Sequence, residues 1–159
     1  MDIYSIHNVI IILHATAATI AFFAGCLLIF SPAYMSNQRL FSVYEWALIS
    51  MIVLLAGAIF VYWTQYSSLE RIIFPGLFAL GLYMLYRAWS ANRLLVSGQS
   101  NWENDYIEHI GFTLISLFEG FIIVSGLNSG FPGWLVGVIA VIGVLLGRWL
   151  IGDARRRTV

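Results

Sequence analysis

The sequence predicts an all-α integral membrane bundle of five transmembrane helices, and three observations predict it. Of its 159 residues, 60% are hydrophobic, 16% aromatic and only 10% charged, where a soluble domain carries about a quarter charged residues. The apolar residues gather into five runs close to the roughly 20 residues that a bilayer core demands of a helix. Nearly all ionisable residues fall between those runs or at their ends. Spans and loops together use almost the whole chain, so residues 1–159 read as one transmembrane domain with no separate soluble part.

The first span is read over Ile6–Phe30. No positive charge precedes it, it is too long for a signal-peptide core and no convincing small-x-small cleavage site follows, so a permanent span is expected. Ala17, Ala21 and Gly25 line one of its faces. The second span, Tyr44–Gln65, follows a polar loop containing Pro32, and the third is read over Ile72–Leu94. The polar stretch Ser97–Asp105 precedes the fourth, Tyr106–Leu127, which carries Ser116 and Gly120 four residues apart. Pro132 introduces the fifth, Gly133–Gly152, with Gly133 and Gly137, then Gly143 and Gly147. Each span must be helical, because lipid offers no partner to open backbone groups. Small residues at this spacing let backbones approach closely, whether the partner is another span or a second protomer.

Arginine sets the expected orientation, since every basic residue is Arg. Arg39, Arg93, Arg148, Arg155, Arg156 and Arg157 fall on one side of a five-span chain, and only Arg71 lies opposite. The positive-inside rule makes the arginine-rich side cytoplasmic, with the N-terminus outside. Tyr4, Trp63, Tyr66 and Trp134 fit one interfacial aromatic belt, and Trp89, Trp102 and Trp149 the other. A multi-pass protein of a bacterial-type inner membrane is the expected setting, with the lipid bilayer as its first partner.

An ionisable group inside a span is costly and marks a candidate site. His14 lies eight residues into the first span and Glu119 eight residues from the outer end of the fourth, each roughly 12 Å below the outer surface at about 1.5 Å per residue. They meet if those two helices are neighbours, as a helix lock or as a proton- or cation-handling pair. Ser116, Thr16, Ser125 and Tyr62 extend a polar path outward from them. His7 shares the His14 face but sits about 10 Å higher, so His7, Tyr62 and Ser116 form a candidate outer polar site. At the cytoplasmic side Glu45, Arg87, Arg93, Glu108, His109 and Arg148 form a charge cluster. It reads as an orientation-fixing ring of ion pairs, or as a site for a phosphate or anionic lipid headgroup.

Other chemistry is not indicated. Zero net charge argues against a nucleic-acid partner. The single cysteine, Cys26, allows no intrachain disulfide. No C-x-x-C, Walker loop, dinucleotide fingerprint, H-E-x-x-H or nucleophile elbow is present, so no enzyme class is indicated. A bis-histidine haem needs two imidazoles at one depth, and His14 and His109 lie more than about 10 Å apart along the normal. No cofactor is predicted; a single-histidine haem or a metal remains the minority reading.

Leu13-His14 leading into Ala17, Ala18, Ala21 and Gly25, the first loop ending in Gln38-Arg39, and Leu85-Tyr86-Arg87-Ala88-Trp89 with Arg93 and Gly98 together resemble a group of small polytopic bacterial membrane proteins with no assigned activity. The resemblance covers about the first 110 residues. That group commonly has His-Arg in place of Gln38-Arg39 and Gly in place of Ser42. The resemblance implies a membrane-embedded bundle and no reaction.

Three functions fit these readings. The chain is expected to be a non-catalytic membrane protein, a subunit or scaffold packing with itself or with a partner in a larger complex. The alternatives are a proton- or cation-handling transporter or channel using His14 and Glu119, and a haem- or metal-binding redox protein.

Overall fold

The computed structural model describes residues 3–97 and 102–157. It contains five helices: α1 Ile3–Phe30, α2 Gln38–Tyr62, α3 Glu70–Ser97, α4 Trp102–Asn128 and α5 Gly133–Arg157. All five are long and apolar enough to cross a membrane. Gly98, with much of the polar stretch expected before the fourth span, lies outside the described residues.

The helices reach beyond the apolar runs because polar signals, not hydropathy, set their ends. Asn37 caps α2 by accepting from the Arg39 and Leu40 N–H groups, so α2 starts six residues before the expected Tyr44. Ser67 and Glu70 form a reciprocal capping box at the start of α3. Gly130, at φ 75°, closes α4; the Phe131 N–H reaches back to the Gly126 carbonyl, and Pro132 prevents continuation. Pro75 lies near the start of α3, where its missing N–H forfeits only the helical bond to the Arg71 carbonyl in the first turns.

Neighbouring helices run antiparallel. α1 packs on α2 and α4, α3 on α2 and α4, and α5 chiefly on α4. His7, His14, Ala21 and Leu28 recur every seven residues along α1, with Ala17 and Ala24 between them. The four aliphatic members of this stripe are buried. This is the narrow seam of a left-handed helix pair. Gly25 extends it toward α4: a Cβ there would sit 2.8 Å from Leu114 and 3.2 Å from Tyr44. The core therefore lies chiefly among α1, α2 and α4, with α3 adding Met84, Ala88 and Ala91, and Tyr44, Tyr106, Phe41, Leu28 and Leu48 are its largest buried side chains.

The α4–α5 contact is a glycine zipper in strict antiparallel register. Gly111 receives Ile151, Gly147 receives Ile115, Gly143 receives Glu119 and Gly126 receives Val136. Each four-residue step from Gly111 to Glu119 along α4 is matched by a four-residue step back along α5. Half of the small-residue pattern of α5 is thus used within the chain. Gly133 and Gly137 face open space.

Candidate functional site

Intramembrane polar groups first seek their own backbone, and two threonines do so here. Thr16 and Thr19 each donate to the carbonyl four residues earlier, at 2.8 Å. Thr16 is also exposed on the outer surface of α1, so it extends no interior path.

His14 does not pair with Glu119. Its Nδ1 donates to the Met51 carbonyl of α2 at 2.8 Å, which fastens α1 to α2. α1 and α4 do touch, but the register differs from the one hydropathy suggests. With Gly25 against Leu114, Glu119 is level with about Ile20, roughly 9 Å deeper than His14. The heptad turns His14 toward α2, whereas Glu119 is turned toward α5.

His7 follows the same seam. Its ring stacks on Tyr62 at 4.2 Å between centroids, and Tyr66 meets both rings edge-on and packs on Phe74 at 4.7 Å. His7 and Tyr62 are thus brought together as expected, in an aromatic stack. Ser116 belongs elsewhere, buried on α4. Tyr66, in the turn between α2 and α3, has its phenol pKa raised by burial, then by the charge of Glu70 and by Tyr62.

At the opposite end Glu108 is the hub. Arg155 of α5 binds its Oε2 at 3.0 Å. Arg87 of α3 reaches the Glu108 carbonyl at 3.2 Å and its Oε1 at 3.8 Å, with its guanidinium 5.1 Å from the Phe112 ring centre. The expected Arg87–Glu108 partnership forms, and Arg155 completes it in place of Arg148, which is exposed. Arg93 instead lies 4.0 Å over the Trp89 ring one turn before it. His109 is near Arg87 and Glu108, with Nδ1 buried and unbonded. Among the described residues Glu45 makes no ion pair with the arginines of this hub, and Glu108 bridges α3 and α5.

Glu119 remains. It is only 7% exposed, and both carboxyl oxygens are buried without a hydrogen-bond partner. It projects over Gly143, where a Cβ would lie 3.2 Å from its Cδ and 3.4 Å from Phe118. A glycine at that point is what makes room for the carboxyl group. The buried polar side chains of the described residues are Thr113, Ser116 and Glu119, at consecutive positions of one i+3 ridge of α4. Thr113 donates to the Ile110 carbonyl at 2.7 Å. Its only hydroxyl proton being used there, Thr113 accepts from the Tyr44 hydroxyl across the α2–α4 contact. Sequence reading identified Glu119 and Ser116; the roles of Thr113, Tyr44 and Gly143 escaped it, although the three-residue spacing of Thr113, Ser116 and Glu119 was there to see.

No cluster of three or more His, Cys, Asp or Glu side chains able to hold a metal occurs among the described residues. No family model, no curated protein and no solved structure matches the chain.

Proposed function

We propose that the chain is a non-catalytic multi-pass membrane protein that binds and releases a proton at Glu119 within the bilayer. The observation that carries this reading is the buried, unpartnered carboxyl group between α4 and α5. An ionised carboxylate without a donor or counter-charge is prohibitively costly in a low-dielectric surrounding, so the group takes a proton instead. A carboxyl stabilised only as its neutral acid gives up that proton when water or a donor reaches it. Among the described residues no Arg or His forms an ion pair with it, so nothing fixes it in the charged form. His14, bonded to Met51, serves as the α1–α2 lock and not as its partner.

The arginine-rich end, bearing Arg87, Arg93, Arg148 and Arg155, is the cytoplasmic end in this reading. The open Gly133–Gly137 face of α5 supports a second, compatible reading, that the bundle works as a subunit beside another membrane helix.

Reconstitution tests it. In weakly buffered suspension with a pH dye, reconstituted wild type is expected to take up more protons across a downward pH step than Glu119→Gln does. Equal uptake by both proteins would remove Glu119 from the function.

A further inference from the structure

Glu119 lies nearer one end of α4, about 13 Å from Asn128 against about 25 Å from Trp102, yet the buried polar side chains lie on the longer side. Toward Asn128 the ridge continues as Ile122 and then the half-buried Ser125, and beside Ser125 the α4–α5 seam is closed by Val136 against Gly126, where a Cβ would meet Val136 at 2.8 Å. Toward Trp102 the ridge carries Ser116 and then Thr113, and Thr113 is joined to Tyr44 of α2. Tyr106, about two helical turns before Thr113, is fully buried, and its hydroxyl has no partner. Phe41 packs on both tyrosine rings, at 5.7 Å from Tyr44 and 6.2 Å from Tyr106; its ring carries no proton, so water has to join the two hydroxyls.

We infer that Glu119 exchanges its proton with one side of the membrane only, along Tyr106, Tyr44, Thr113 and Ser116, from the end that carries Arg87, Glu108 and Arg155. The inference rests on Glu119 being the proton site. A hydroxyl passes a proton by accepting one on its oxygen as it releases its own; Thr113 does so once its hydroxyl turns from the Ile110 carbonyl toward Ser116, so each hydroxyl ends unchanged and Glu119 carboxylate gains one proton. Thr113 to Ser116 and Ser116 to Glu119 are each about 4.5 Å of helix rise, a gap one bridging water covers. The buried Tyr106 hydroxyl needs a partner of the same kind. The groups facing Glu119 are Gly143 of α5 and Phe118 and Ser116 of its own helix, none of which titrates. The charges beside the proposed route are Glu45, which acts on Tyr44, and Arg87, Glu108 and Arg155 at the same end of the bundle.

The test is the rate at which the Glu119 carboxyl infrared band appears after a downward pH jump on purified wild-type protein, with Glu119→Gln identifying the band. Tyr44→Phe and Thr113→Val are expected to slow its appearance by roughly tenfold or more without moving its equilibrium midpoint. Thr113→Ser, which keeps the hydroxyl, is expected to restore the wild-type rate and so separates loss of the relay from loss of packing. A Glu119 band that appears at the wild-type rate in Tyr44→Phe and Thr113→Val overturns the route alone. A wild-type protein with no such band at any pH overturns the proton site, and the route with it.

Discussion

At the scale of single residues, the bundle separates polar groups that are satisfied from one that is not. His14 and Tyr44 each spend a hydrogen bond across α2: His14 on the Met51 carbonyl, Tyr44 on Thr113. Hydrogen bonds between membrane helices are modest, so His14→Ala is expected to lower stability by about 1 kcal/mol, read as a fall in melting temperature in detergent. Glu119→Gln is expected to leave melting unchanged or raise it, because no bond to Glu119 is lost. A steep fall on removing its charge would mean that Glu119 is a structural anchor. Gly143→Leu is expected to disturb the same site from the other side, by forcing the carboxyl and Phe118 away from α5. Its expected signature is a changed Glu119 titration with α1, α2 and α3 intact.

Tyr66 gives a pH prediction outside the spans. Burial first, and then Glu70 and Tyr62, hold its phenol neutral above its ordinary range, which centres near 10. The folded protein therefore binds this proton more tightly than the unfolded chain does. Its contribution is fully present below about pH 10 and is lost as pH rises through the raised folded value. Alkaline melting curves are expected to show this loss in wild type and a smaller one in Tyr66→Phe. Equal alkaline slopes would contradict the assignment.

At the scale of elements, the caps and the seams decide what hydropathy cannot. Asn37→Ala is expected to cost about 1 kcal/mol through the lost α2 cap, detectable as fraying by hydrogen exchange at Arg39 and Leu40. The sequence made all five helices legible, because an apolar run of this length has one solution in lipid. It left their first turns unread: the Asn37 cap and the Ser67–Glu70 box lie in polar segments that carry no hydropathy signal. It also left the partners of each face unread. The seven-residue recurrence of His7, His14, Ala21 and Leu28 was visible and correctly placed both histidines on one face. Which helix that face meets depends on register, and register is set by Gly25 against Leu114 and Tyr44. That single contact moves Glu119 below His14 and makes the two sites separate. Likewise the Arg87–Glu108 pair was legible from depth, whereas the choice of Arg155 over Arg148 depends on how α5 rotates over Gly111 and Gly147.

At the scale of the whole molecule, the bundle consists of a core of α1, α2 and α4, with α3 and α5 laid against it. α5 is held by glycines on both sides of its contact with α4 and, at its end, by Arg155 on Glu108. Its remaining large side chains, among them Trp134, Val141, Leu145 and Trp149, are exposed, as lipid-facing positions are. The central claim is that Glu119, whose buried carboxyl group fits over Gly143 of α5, is a proton site. The most direct measurement is the infrared carboxyl spectrum of the protein in lipid at neutral pH, wild type minus Glu119→Gln. The account predicts a protonated-carboxyl band that Glu119→Gln lacks and that disappears as the pH is raised. A Glu119 already ionised at neutral pH, with no such band, would contradict it.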